Sequence, residues 1–214
     1  MPEQDPGNEA AEYRYSECGP GWAHEYLWSP LRQLLSRNRP PPARIFEIGC
    51  GNGASAHMLS TLGYEVAGID ASVSGIRVAN RAYPDLRLEV ASAYDDLAAR
   101  YGTYDAVLSL EVIEHLYAPR SFVRSFRGLL EPGGLGIIST PYHGYLKNLA
   151  LAAANRFDRH LDPLWDGGHI KFWSRPSLSR LLKEFDFENP EFVKVGRIPP
   201  FAKSLMVSFR VPEG

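Results

Sequence analysis

The chain lacks most of the features that mark a secreted, membrane-spanning or nucleic-acid-binding protein. It has only two cysteines in 214 residues, Cys18 and Cys50. That pair makes neither a disulfide framework nor a metal-type spacing, so both are expected as free thiols in a reducing cytosol. Cys50 has no activating base beside it in sequence, which argues against a catalytic thiol. There is no surplus of basic charge. Lys and Arg number 23 against 25 Asp and Glu, a net charge of −2, so no overall positive field draws nucleic acid. No apolar run approaches a membrane span. Residues 1–12 are polar and acidic, without the basic start and apolar stretch of a signal peptide. A soluble, cytoplasmic protein without a transmembrane segment is expected. Its oligomeric state is not written in the composition.

What is present is a globular composition, 44% hydrophobic and 12% aromatic, in a length that suits one domain. Residues 1–40 read as a tail, rich in Glu, Pro and Gly to residue 14, followed by a helix over Trp22–Arg37. Pro40-Pro41-Pro42 closes that segment. From residue 44 strands and helices alternate. Strands are expected at Arg44–Ile48, Tyr64–Ile69, Leu86–Val90, Ala106–Leu110 and Leu135–Thr140. Helices are expected at Ala54–Leu62, Val73–Ala82, Asp95–Tyr101 and Pro119–Leu130. Alternation of this kind builds a parallel sheet with helices on both faces. The finish differs: a helix over Pro176–Phe185, then strands Phe192–Ile198 and Ser204–Val211. A short Pro-containing turn joins those strands, so they pair antiparallel. The expected class is α/β, with seven strands, mostly parallel, in a domain spanning 41–214. Residues 141–175 are long for a plain connection and read as an acceptor-side insertion with a helix near Leu146–Phe157.

The clearest motif is Glu47-Ile48-Gly49-Cys50-Gly51-Asn52-Gly53, between the first strand and its helix. Glycine permits a sharp turn and close approach of a ligand. Asp70 ends the second strand, where a carboxylate can bind both hydroxyls of a ribose. Gly49-x-Gly51-x-x-Ala54 alone also fits a dinucleotide fingerprint, which keeps an NAD(P)-dependent oxidoreductase open. Glu47 weighs against it, since its charge suits a cationic ligand and opposes a pyrophosphate. The antiparallel finish is a second discriminator. A non-catalytic module that keeps the pocket is a further alternative.

Taken together these residues resemble the class I S-adenosylmethionine-dependent methyltransferases. Within that superfamily the chain is most similar to the ubiquinone-biosynthesis O-methyltransferases and their small-molecule relatives. The resemblance spans about residues 44–211 and implies a Rossmann-like sheet with an antiparallel last strand. It implies S-adenosylmethionine as donor and S-adenosylhomocysteine as product. Donor contacts are implied at Glu47, Gly49, Cys50, Gly51, Gly53, Asp70 and Ala71, at Ser92-Ala93-Tyr94 after the third strand, and at Leu110 and Glu111 after the fourth.

Glu111, Glu114 and His115 follow the fourth strand, at the sheet edge where ligands sit in open α/β folds. Two carboxylates and an imidazole suit magnesium or manganese, which would lower the pKa of an acceptor hydroxyl. The pattern also resembles the metal-binding segment of small-RNA 3′-end methyltransferases, where a later histidine completes the site. His169, before Phe172-Trp173, matches that histidine. The acidic balance and short chain disfavour RNA 2′-O-methylation and leave a hydroxylated small molecule as the expected acceptor. In the metal-free reading Glu114 and His115 stabilise the turn, and His115 or His143 serves as general base. His24, Tyr26, Tyr13 and Tyr15 are candidates for a lid, and His160 and Trp165 for an acceptor pocket. His57 reads as a surface residue. The Ala- and Leu-rich Tyr145–Phe157 helix reads as a lid over the substrate, with weak peripheral membrane contact as its alternative.

Overall fold

The computed structural model describes residues 14–21, 23–165, 167–198 and 201–213. The expected tail, Tyr13 and the helix start at Trp22 lie outside the described residues. The elements are α1 (His24–Asn38), β1 (Arg44–Ile48), α2 (Ala54–Thr61), β2 (Glu65–Asp70), α3 (Val73–Ala82), β3 (Arg87–Val90), α4 (Leu97–Tyr101) and β4 (Tyr104–Leu110). A 3-10 turn (Ile113–His115) then leads to α5 (Pro119–Gly128), β5 (Leu130–Pro141), α6 (Tyr145–Ala153), α7 (Phe157–Leu161), α8 (Arg175–Lys183), β6 (Glu188–Val195) and β7 (Ser204–Arg210).

The seven strands form one sheet in the order β3-β2-β1-β4-β5-β7-β6. β7 runs antiparallel to both its neighbours, and the other pairings are parallel. The expected mostly parallel sheet with a reversed last strand is therefore the observed one. The order reverses at β1 and β4, which creates the crevice where open α/β sheets take ligands.

Each face of the sheet is covered because its strands are apolar on both sides. On one face, Leu27, Leu31 and Leu35 of α1 pack with Leu59 of α2, Ile76 of α3 and Ile45 of β1. On the other, Leu97 of α4, Phe122 and Phe126 of α5 and Leu178 of α8 pack with Phe46, Val107 and Phe209. Phe46 is fully buried between Tyr101 and Tyr104, each with ring centroids 5.0 Å away. Burying such a side chain is worth roughly 1.5–3 kcal/mol. One face of α1, through Leu27, Leu31, Leu34 and Leu35, thus belongs to the core.

Local chemistry sets the helix ends. The Ser72 hydroxyl accepts from Gly75 N–H at the start of α3, and Ser174 and Ser177 form a capping box at α8. Pro119 opens α5 as expected. Two expectations are corrected. β5 begins at Leu130, not Leu135: Pro132-Gly133-Gly134 is an irregular stretch inside the strand, opposite a register shift between Tyr104 and Ala106. The single helix expected to reach Phe157 is two helices, because Asn155 takes a left-handed conformation (φ 49°) that ends α6.

Candidate active site

The C-terminal ends of β1, β2, β3 and β4 lie along one rim, and the glycine loop occupies its centre. Gly49, Gly51 and Gly53 all have positive φ. At Gly49 a Cβ would stand 2.3 Å from Val112 Cγ2, so the loop closes only with glycine there. The N–H groups of Gly49 and Cys50 both donate to Ile69 O, and Gly53 N–H to Cys50 O. Gly51 N–H donates to Asp70 Oδ2 (2.8 Å) and Ser72 N–H to Asp70 Oδ1 (2.7 Å). These loop amides are therefore engaged within the protein. That differs from a loop that presents its amides to a pyrophosphate.

Glu47 is buried at the end of β1, and its Oε2 has no hydrogen-bond partner. Burial, and then the charge of Asp70, push its pKa up to about 8. Burial also raises Asp70, while the two backbone donors hold it down. Cys50 is buried, with its thiol pushed well up by burial and by Glu47, which keeps it protonated. Both cysteines are free. Ala71 is exposed beside Asp70, and Leu110 is partly buried at the end of β4. Ser92, Ala93 and Tyr94 form the turn after β3: Ser92 N–H donates to Asp95 Oδ2 (3.0 Å), and Tyr94 OH accepts from Ala118 N–H (3.3 Å).

An N-terminal segment crosses this loop. The Asn52 side-chain amide donates to Glu17 O and Gly19 O, both at 2.9 Å. Tyr15 N–H donates to Ser74 Oγ (3.2 Å), and the Tyr15 phenol lies against Gly51, where a Cβ would meet it at 2.5 Å. Tyr15, expected near a lid, therefore covers the glycine loop. His24 is tied to Gly21 N–H through Nδ1 (2.6 Å). His57 is exposed and stacks on Tyr83 at 4.2 Å.

Beyond β4 the structure gathers Glu114, His115 and His169, with one ligand atom from each lying within 4.8 Å of the others. Glu114 is buried and neither carboxylate oxygen has a hydrogen-bond partner. Burial, then the neighbouring Glu111, raise its pKa well above the usual range. His115 Nδ1 faces Gly167 O at 2.7 Å. A carbonyl only accepts, so Nδ1 carries the proton and the Nε2 lone pair is free. That Nε2 stands 3.9 Å from Glu114 Oε1. The returning insertion is stitched to this turn. Ile170 and Lys171 N–H both donate to Glu114 O (3.0 Å each), and Trp173 Nε1 donates to Ile113 O (3.2 Å).

Glu111, expected in the same set, stands apart from this group. Its left-handed backbone (φ 56°) costs about 1–2 kcal/mol for a residue with a Cβ. Its carboxylate is held by hydroxyls from β5 and β7: Ser139 Oγ donates to Oε1 (2.7 Å) and Ser204 Oγ to Oε2 (2.9 Å). Each hydroxyl has one proton, and both are spent on the carboxylate. Tyr26 OH must then be the donor to Ser204 Oγ (3.1 Å), and Glu111 N–H donates to Ser139 Oγ (3.1 Å). Burial raises the Glu111 pKa to about 7 against the pull of these hydroxyls and Lys147. Sequence reasoning missed this network because Ser204 is 93 residues from Glu111. The one local signal was an acid immediately after a strand.

The insertion supplies the other wall. His143 stacks edge-on to Phe172 at 4.9 Å and lies 6.2 Å from His160. Trp165 lies 5.3 Å from His169 and 5.8 Å from His115. Burial, then the Lys147 charge, push His143 down to about 4, so it is neutral at pH 7. Burial and the surrounding imidazoles do the same to His169. No residue of α6 is buried, and Tyr145, Leu146 and Leu149 are exposed. Among the described residues no helix is long and apolar enough to cross a membrane.

Comparison with known proteins gives a consistent picture. A family model described as a methyltransferase domain matches residues 22–191. The chain is 30% identical over 169 residues to a ubiquinone biosynthesis O-methyltransferase of Thiobacillus denitrificans, covering 76% of this chain and 73% of that protein. It is 40% identical over 113 residues to the protein of the same name from Caulobacter sp. strain K31, covering 51% of this chain but only 44% of the relative. Among solved structures, magnesium protoporphyrin IX methyltransferase from Synechocystis PCC 6803 with bound S-adenosylhomocysteine shares the fold. Its TM-score is 0.67 at 16% identity, with coverage of 86% of this chain and 80% of that one.

Proposed function

This chain belongs to the S-adenosylmethionine-dependent methyltransferases, and from that premise we propose that it methylates a hydroxyl group of a small molecule. The observation that carries the reading is the group of Glu114, His115 and His169 beyond the end of β4, with His143 on the neighbouring insertion and Glu111 held separately by Ser139 and Ser204. The names of the relatives support the same reading.

In this proposal the donor lies across the glycine loop. Asp70 meets the ribose hydroxyls, Glu47 faces the cationic end of the donor, and Ser92–Tyr94 border the adenine. The acceptor sits between Glu111 and the histidines, in line with the sulfonium methyl. Holding the two in line supplies much of the rate gain. The acceptor oxygen attacks the methyl carbon, the carbon–sulfur bond breaks, and the hydroxyl proton passes to a neighbouring base. His143 is the metal-free candidate for that role: it is neutral at pH 7, although burial and the Lys147 charge hold its pKa near 4 and make it a weak base.

A divalent cation, magnesium or manganese, fits the group formed by Glu114, His115 and His169. Among the described residues Glu114 offers two carboxylate oxygens without a hydrogen-bond partner, and His115 presents its Nε2 while a carbonyl fixes its other nitrogen. Bound there, a cation would lower the pKa of the acceptor hydroxyl. The exposed apolar side chains of α6 support weak contact with a membrane surface as an accessory property.

The test is thermal unfolding with S-adenosylhomocysteine, with and without manganese, followed by methyl transfer from labelled donor to a panel of phenols and catechols. Saturation about a hundredfold above Kd should stabilise the fold by about 2.7 kcal/mol. Absence of any stabilisation would sink the donor assignment. Donor binding with no transfer to any hydroxyl would favour a non-catalytic module. Unchanged turnover in both Glu114→Ala and His115→Ala would refute the acceptor-activating role.

A further inference from the structure

A second concavity lies beside this site. It has a volume of about 340 Å³ and opens between the start of α6, the N-terminal end of α8 and the β6–β7 edge. That volume is sufficient for a small ligand or part of one. Its walls include Tyr142 and His143 after β5, Arg175 of α8, and Phe192 and Lys194 of β6, and among the described residues no carboxylate lines it. Arg175 is held over the Phe192 ring at 5.2 Å, and Lys194 Nζ over the Tyr142 ring at 5.0 Å. Among the described residues neither cation has an ion pair. In a chain of net charge −2, two cations facing one cavity without an acid are a local exception.

The cavity adjoins the acceptor side. His143 lines it and also packs against Phe172 in the histidine cluster. Lys147 Nζ is bonded to Tyr142 O (2.9 Å), which adds a third cation behind the same stretch. The donor rim lies on the other side of β4, so a ligand here is in line with the acceptor rather than with the nucleoside.

We propose that this cavity is a subsite for an oxyanion, carboxylate or phosphate, carried by the acceptor. Arg175 and Lys194 bind the anion, and the Tyr142 and Phe192 rings flank the apolar part next to it. Arginine offers a planar fork matched to such groups, and lysine a point charge. The assignment of the anion to the acceptor rests on the methyl-transfer reading above; the subsite itself does not.

The experiment is calorimetric titration of the full chain, saturated with S-adenosylhomocysteine, with phenyl phosphate, benzoate and neutral phenol. Either or both anions should bind at least about tenfold more tightly than phenol, and the advantage should shrink as salt is raised. The tighter of the two identifies the oxyanion. Arg175→Gln with Lys194→Gln should abolish the preference and leave the thermal shift with S-adenosylhomocysteine unchanged. Equal binding of all three ligands would overturn the proposal, as would a preference that survives in the double variant. Binding to phosphatidylserine vesicles with neither small anion bound would also overturn it and assign the cations to a membrane face. Loss of S-adenosylhomocysteine binding with the anion preference intact would remove the methyl-transfer reading and leave the subsite standing.

Discussion

Replacing Glu47 with glutamine should stabilise the cofactor-free protein increasingly as pH rises, while weakening donor binding. Glu47 is fully buried with one oxygen unpartnered, and its pKa stands at about 8 against an ordinary 4.5. Between those two values the folded chain holds a proton that the unfolded chain has released. Stability therefore falls with rising pH across the whole window, by about 1.4 kcal/mol per pH unit. The part between about pH 6 and pH 9 amounts to about 2.7 kcal/mol, large against a typical domain stability of roughly 5–15 kcal/mol. Glutamine has the same shape and no proton to lose. The stability difference between variant and parent, read from urea unfolding at about pH 6, 7 and 9, should widen by that amount. In the same variant a charge-assisted contact to the donor is gone, so Kd for S-adenosylhomocysteine should rise tenfold to a hundredfold, worth about 1.5–3 kcal/mol. Parallel pH profiles for parent and variant would refute the burial argument. An unchanged Kd would refute the placement of the donor's cationic end against Glu47.

Three further outcomes follow from the geometry. Gly136→Ala would place a Cβ 2.2 Å from Phe209 Cε2 across the β5–β7 pair; overpacking of this kind costs about 1–3 kcal/mol, and an unaltered Tm would show that Phe209 can move aside. Ser204→Ala leaves Glu111 Oε2 without its hydroxyl donor and should cost about 1–3 kcal/mol in urea unfolding, against roughly 0.5–1.5 kcal/mol for Tyr26→Phe, which removes the outer bond to Ser204. Equal losses would contradict the direction assigned to that network. Asp70→Asn substitutes an amide for a carboxylate that accepts from both Gly51 and Ser72; S-adenosylhomocysteine affinity should fall at least about tenfold, and calorimetry showing no change would remove Asp70 from the donor site.

Much of the fold was legible because its signals are local. Strand and helix periods, the proline at the start of α5 and the glycine after α2 each act within a few residues. The reversed final strand was legible because a short turn admits no other pairing. The errors also have local causes. The break between α6 and α7 depends on Asn155 adopting a left-handed conformation, which an Ala-rich stretch conceals. The early start of β5 depends on a register shift against β4 that no single segment records. In the site, Glu114 and His115 were singled out by residue type and His169 by a family resemblance, and the structure brings the three together. The separate environment of Glu111 was not, because it depends on hydroxyls from strands β5 and β7 and a phenol from α1. The cover over the glycine loop was equally illegible, since Asn52 meets Glu17 and Gly19 through backbone carbonyls that carry no residue signature.

The position of β7 also governs the order in which the molecule can be assembled. β6 precedes β7 in the chain, yet β7 is its neighbour in the sheet and separates it from β5. β6 therefore has no edge to join until the residues after it have been made and inserted. The pairing of β7 with β5, which brings Ser204 beside Pro141, is non-local and slows folding, because loop closure precedes the contacts that reward it. The glycine loop and Asp70 both lie within contiguous segment 44–70. The Ser204 hydroxyl on Glu111 arrives only with the final strand. The donor rim thus draws on early sequence and the acceptor rim on late sequence, although they share one edge of the finished sheet.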